Sequence, residues 1–181
     1  MKPSILFLSK LTAIVTAALL TVSISQAQPP FGGPDDTAYA AKLWQALNQS
    51  NLAGAGAIQS KAYPGQHPHG AVLQTIYTSL NMDGQNNPLI VKRNYGGEGV
   101  SVQSVAENPD RYLTAVAVMY KRPGYDPANN DWFWAKYLPD GSLDKNPKGM
   151  QLAGRVAKVK PPAGCIGCHS AASGGDMVFT K

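Results

Sequence analysis

The chain has 181 residues, 44% of them hydrophobic and 15% charged, with 16 lysines and arginines against 11 acids and a formal charge of +5. The basic excess is spread along the chain and forms no block, so it gives no sign of a nucleic-acid partner. It could favour an acidic redox partner or membrane surface, but simple solubility is the readier account.

The first element expected is a leader. Lys2 and Lys10 flank an opening that leads into the uncharged stretch Leu11 to Ile24, and Ser25-Gln26-Ala27 follows with small residues at the positions a signal peptidase reads. This is the pattern of a secretory signal over residues 1–27, cleaved after Ala27. A spanning helix needs roughly 20 apolar residues, and this run is shorter and rich in Thr and Ser. No other segment is apolar enough to span a bilayer. The expected location is the periplasm or another exported site. Removal of Lys2 and Lys10 lowers the formal charge from +5 to +3 and leaves residues 28–181, the size of one domain.

Residues 28–34 are rich in Pro and Gly and read as a flexible linker, with the domain proper over 35–181. Asp35 and Asp36 suit an N-cap and first helical turn. Tyr39, Leu43 and Leu47 then recur at four-residue spacing beside Ala40 and Trp44, which predicts one amphipathic helix ending near Asn51 to Gly54. From Gly70 the character changes. Ala71 to Thr78, Pro88 to Tyr95, Tyr112 to Tyr120 and Trp132 to Leu138 are β-prone, and Gly99 to Val105 places Val100 and Val102 on alternate positions. Asn81-Met82-Asp83-Gly84, Arg122 to Asn130 and Pro139-Asp140-Gly141-Ser142 supply turn and loop chemistry between them. The expected class is α+β, mainly antiparallel β, in a single domain. An N-terminal amphipathic helix opens it and a C-terminal attachment segment closes it.

That last segment carries the chemistry. Cys165-Ile166-Gly167-Cys168-His169 fits the C-x-x-C-H pattern of c-type haem attachment. Each thiol can add to one haem vinyl group, and the adjacent histidine can give an imidazole nitrogen to the iron. The expected cofactor is therefore one covalent haem c, with Cys165, Cys168 and His169 binding it and His169 as the axial iron ligand. A thioredoxin-like Cys-x-x-Cys belongs after a strand in a βαβ unit, and too little chain remains here to build one. A zinc site would need a fourth ligand, from His67 or His69 far upstream. A disulfide leaves the histidine without a purpose.

Only twelve residues follow His169. The common small cytochromes c carry this motif near the N-terminus. The four-helix cytochromes need helices that Gly70 to Leu138 does not offer. What remains is a β-rich cytochrome with its haem at the end of the chain.

On those residues the chain resembles the cytochrome P-460 family, including its cytochrome c-prime-beta relatives, over roughly Tyr63 to Thr180. The resemblance rests on Pro68-His69-Gly70, Val118-Met119-Tyr120-Lys121, Asp131-Trp132 and Pro139-Asp140-Gly141. Its closest part is Cys165 to His169 with Ala171-Ala172 and Val178-Phe179-Thr180. It implies a homodimer with one haem per subunit, His169 as the proximal ligand and the other iron face open. Members that oxidise hydroxylamine carry a lysine cross-linked to the porphyrin, five residues beyond the glycine that opens the strand. The corresponding residue here is Thr75, with Lys61 and Lys92 the nearest lysines. Those oxidising members also place a carboxylate over the open iron face, from the stretch after the haem motif. Ser173 stands four residues past His169, and Asp176 is the candidate distal acid; as a residue of a Gly-rich loop it could equally be solvated. His67 and His69 read more readily as turn residues than as a sixth ligand, and Trp132, Phe133 and Trp134 as sheet core. Arg93 and Arg111 are candidate partners for the haem propionates.

Three functions follow from these readings. The chain could bind nitric oxide or another small nitrogen-containing ligand at an open iron site. It could oxidise hydroxylamine or nitric oxide there. It could instead carry electrons for a redox partner protein, which would favour a six-coordinate iron.

Overall fold

Chain order is also spatial order here. The computed structural model describes residues 30–156 and 164–179, so the expected signal segment lies outside the described residues. Helix α1 (Pro34–Gln49) is followed by strands β1 (Tyr63–Pro64), β2 (Val72–Met82) and β3 (Gln85–Tyr95). Short helices α2 (Val102–Glu107) and α3 (Pro109–Tyr112) lead into β4 (Leu113–Lys121), β5 (Trp132–Tyr137), β6 (Ala153–Gly154) and helix α4 (Cys165–His169). The six strands form one antiparallel sheet in the order β1 to β6. The mainly antiparallel α+β class with an N-terminal helix is the architecture found.

The sheet's register follows from its first hairpin. Met82 pairs with Gln85 across a two-residue loop, Asp83 and Gly84, whose φ values are 52° and 79°. Two consecutive left-handed residues are what a twisted hairpin needs, and Asp-Gly supplies them at low cost. From this turn the alternation of side chains assigns every strand residue to one of two faces.

On the first face lie Leu89 and Val91 of β3, Val116 and Val118 of β4, and Phe133, Ala135 and Tyr137 of β5, all buried. Helix α1 covers them with Ala40, Leu43 and Leu47, an i, i+3, i+7 stripe with no solvent exposure. Tyr137 Oη donates to the Ala40 carbonyl at 2.8 Å, so the one polar atom of that side chain is paired inside the core. Asp35 and Asp36 occupy the first turn as expected, but the N-cap is Gly33. The Asp36 carboxylate accepts from Gly32 N–H and from Tyr125 Oη, which ties the helix start to a distant loop.

On the second face lie Ile90, Met119, Trp132 and Trp134. Among the described residues no long helix covers this face. Phe31, Val156, Ile166 and Met177 pack on it instead, from the two ends of the described chain. Phe31 is 3% exposed, and Gly32 N–H donates to Ala153 O at 2.8 Å. The stretch expected as a flexible linker is therefore packed over residues 31–33, held against the β6 edge.

One element differs from its sequence pattern. Gly99 to Val105, with Val100 and Val102 alternating, leads into helix α2. Ser101 caps it, and Ser104 completes a reciprocal capping box. Val105 alone is buried there, against Val72 and Tyr95. No helix among the described residues is long and apolar enough to cross a membrane.

Candidate functional site

Helix α4 is five residues long, yet its spacing places Cys165, Cys168 and His169 on one side, at i, i+3 and i+4. Ile166 points the other way, is 1% exposed, and joins the cluster of Trp132 and Met177. Its N–H donates to Val156 O at 3.1 Å. The apolar anchor thus fixes which side of the helix the reactive residues face. Both cysteines are free thiols, Cys165 half-buried and Cys168 exposed. Burial pushes the Cys165 thiol up to about 11.

His169 is buried, and its Nδ1 lies 2.8 Å from Met177 O. Burial lowers its pKa, against the raising effect of that carbonyl, and so favours the neutral ring. A neutral ring with Nδ1–H donated to a carbonyl keeps Nε2 as the lone-pair nitrogen for a metal. The carbonyl is itself held in place. Met177 takes a left-handed φ of 65°, Trp132 Nε1 donates to Asp176 O at 2.8 Å, and Asn130 Nδ2 donates to Gly175 O at 2.6 Å.

A cavity of about 800 Å³ opens beside these residues, lined by Cys165, Cys168 and His169 and by the second face of the sheet. Its apolar wall is Phe31, Ile90, Met119, Leu152 and Val156. The Trp134 ring stands 4.8 Å from the His169 ring, Phe179 at 5.3 Å and His69 at 6.1 Å. The polar wall is mainly basic, with Lys92, Lys136, Lys145 and Lys148, and Asp144 as its acid. Lys136 Nζ pairs with Asp144 at 2.8 Å. Trp134 Nε1 is buried in the cavity wall with no hydrogen-bond partner among the described residues.

The sequence candidates divide sharply. Cys165, Cys168 and His169 share the cavity wall. Asp176 lies outside it: the residue is exposed, and its carboxylate accepts from Val178 N–H at 3.0 Å. Ser173 is exposed as well. Arg93 and Arg111 both miss the cavity. Arg93 is buried on the opposite sheet face, where it donates to Ile58 O and Leu52 O, and Arg111 is exposed beside the Tyr112 ring. Of the aromatic trio, Phe133 belongs to the core under α1, while Trp134 lines the cavity.

Thr75 is paired by its hydroxyl to Tyr63 Oη at 2.6 Å. Its cross-strand partner is Lys92, so the lysine nearest that position in the sheet comes from the next strand. His69, read from sequence as a turn residue, lines the cavity, and burial pushes its pKa down to about 4. Phe31, Lys136 and Asp144 were not legible as site residues. Their signal is sheet register, which no local motif carries.

Haem can be tested against these residues. Two free thiols and a neutral imidazole with a defined tautomer converge on one wall. The cavity is of cofactor size and mostly apolar, a lysine-rich side suits carboxylates, and an orphaned indole N–H awaits an acceptor. The residues fit. No curated protein and no solved structure matches the chain. The cytochrome P460 family model matches residues 50–180, which include both the sheet and the C-terminal segment. The chain belongs to the cytochrome P460 family, and it is a c-type haem cytochrome.

Proposed function

We propose that this chain is an exported mono-haem cytochrome which binds nitric oxide or a related small nitrogen ligand. Cys165 and Cys168 would hold the haem covalently, and His169 Nε2 would bind its iron. The observation that carries this reading is His169 itself, buried at the cavity wall with Nδ1 held by Met177 O. When bound, haem would supply an iron able to take up a diatomic molecule. The protein's part is to fix the imidazole, to keep bulk water away with Phe31, Ile90, Met119 and Trp134, and to hold carboxylates with its lysines. Cleavage after Ala27 would release the domain into the periplasm, where it would act as a homodimer.

Oxidation of hydroxylamine is the weaker reading. Thr75 has no amine, its hydroxyl is engaged by Tyr63, and Asp176 lies away from the cavity. The reduced protein should therefore show ordinary c-type bands, and the ferrous form should take up carbon monoxide and nitric oxide. Mass spectrometry of the haem peptide should find haem on Cys165 and Cys168 and no bond to lysine. A porphyrin cross-linked to Lys92 would restore the oxidase reading. A ferrous iron that ignores carbon monoxide would favour the electron carrier.

A further inference from the structure

The carboxylate that misses the cavity is bonded to the far end of the peptide group that holds the His169 imidazole. We infer that Asp176 is a positioning residue for His169: through the Met177–Val178 peptide it tightens the hold on Nδ1–H and makes Nε2 a stronger electron donor to a metal. This rests on His169 as the iron ligand, proposed above, and adds what sets the strength of that ligand.

Two hydrogen bonds meet on one amide. His169 Nδ1–H donates to Met177 O at 2.8 Å, and Val178 N–H donates to Asp176 Oδ1 at 3.0 Å. Met177 O and Val178 N belong to the same peptide group, whose C–N bond has partial double-bond character. A carboxylate on the N–H side therefore moves electron density onto the oxygen. That oxygen accepts more strongly from Nδ1–H, and the ring becomes more electron-rich at Nε2. Coupling of this kind strengthens each bond by about 10–30%. A bond to a charged acceptor is itself roughly twice as strong as one to a neutral acceptor. Among the described residues no ion pair engages the Asp176 carboxylate, so the amide does not compete with a neighbouring cation for it.

The surrounding chain keeps the two bonds in place. Trp132 Nε1 donates to Asp176 O at 2.8 Å and Asn130 Nδ2 to Gly175 O at 2.6 Å, which ties the near side of the relay to β5 and the turn before it. On the far side Tyr77 Oη donates to Phe179 O at 3.0 Å, so the chain is fixed again just past Val178. Between them the Met177 side chain is buried beside Trp132 and Ile166. The imidazole end of the relay is buried and the carboxylate end is exposed. One peptide group thus carries the influence of a charge in water to a ring in the interior, without the cost of burying the charge.

The test compares the full haem-loaded wild type with Asp176→Asn and Asp176→Ala. Asparagine can still accept from Val178 N–H but carries no charge, whereas alanine offers neither. Resonance Raman spectra of the ferrous proteins should show the iron–histidine stretch falling in the order wild type, Asp176→Asn, Asp176→Ala. Spectroelectrochemistry should find reduction of the ferric form favoured about threefold by Asp176→Asn, which is about 28 mV for one electron. The shift should persist at 1 M salt, where the Debye length is about 3 Å and the bare field of an exposed carboxylate is screened. Asp176→Asn keeps the turn and decides the matter if Asp176→Ala disturbs the loop. A stretch that is absent or unchanged across the three proteins overturns the inference, and so does a potential shift that vanishes in salt. If stretch and potential both move but no form takes up carbon monoxide or nitric oxide, the relay stands and the small-ligand function falls. If all three bind carbon monoxide alike and share one stretch and one potential, the function stands and the relay falls.

Discussion

Nδ1 of His169 carries more of the site than its single bond suggests. A histidine can offer either nitrogen to a metal, and the Met177 carbonyl decides between them by accepting a hydrogen bond from Nδ1–H. The sequence displays the histidine but not the choice, because the carbonyl belongs to a left-handed residue eight positions away in a Gly-rich loop. The same separation hides Lys92, Lys136 and Asp144. Each reaches the cavity through the position of its strand, or of the loop beside it, against the sheet. His169→Ala should leave haem attached through organic extraction, since Cys165 and Cys168 are untouched, while altering the iron spectrum. Haem lost to acid acetone from the wild-type protein would refute covalent attachment.

Among the elements, α4 shows how a short helix is held. Five residues cannot be stable alone, because helix nucleation costs more than one turn returns. The buried Ile166 side chain supplies the missing stabilisation, with its N–H bonded to Val156 O. Ile166→Ala should lower the stability of the apoprotein by about 3 kcal/mol, mid-range for deleting a buried aliphatic side chain. Chemical denaturation measures that loss, and a change under about 1 kcal/mol would mean that the attachment segment is held by something else. Helix α1 and the long strands were legible because their apolar residues repeat at the periods of helix and strand. Helix α2 was not. Val100 and Val102 imitate a strand, and its capping box uses Ser104 where the recognisable pattern has Glu or Gln. Phe31 was hidden by its neighbours, since a Pro- and Gly-rich stretch gives no periodicity in which a single anchor stands out.

For the molecule as a whole, buried phenols set the alkaline limit. Burial raises the Tyr95 pKa to about 12, and its hydroxyl donates to Gln74 Oε1 at 2.5 Å. An unfolded tyrosine ionises near pH 10, so the folded state binds more protons between about pH 10 and 12. Stability is then complete below pH 10 and falls as pH rises through that window, by up to about 1.4 kcal/mol per pH unit for each such group. Tyr39 is raised to about 12 by burial and acts in the same direction. Unfolding midpoints measured from pH 9 to 11.5 should decline for wild type and decline less steeply for Tyr95→Phe. Equal slopes would mean that Tyr95 does not couple to folding.

The sequential order of the strands has a consequence in time. Each strand from β1 to β6 pairs with the one before it, so loop closure during folding is short-range at every step. The partition between the two faces can therefore form from the N-terminal side before the last segment joins it. Cys165 and Cys168 come at the far end, and Phe31, Ile90, Met119 and Trp134 already belong to the part that precedes them. The C-terminal segment then closes the sequence of events: a finished sheet receives the tail that carries Cys165, Cys168 and His169.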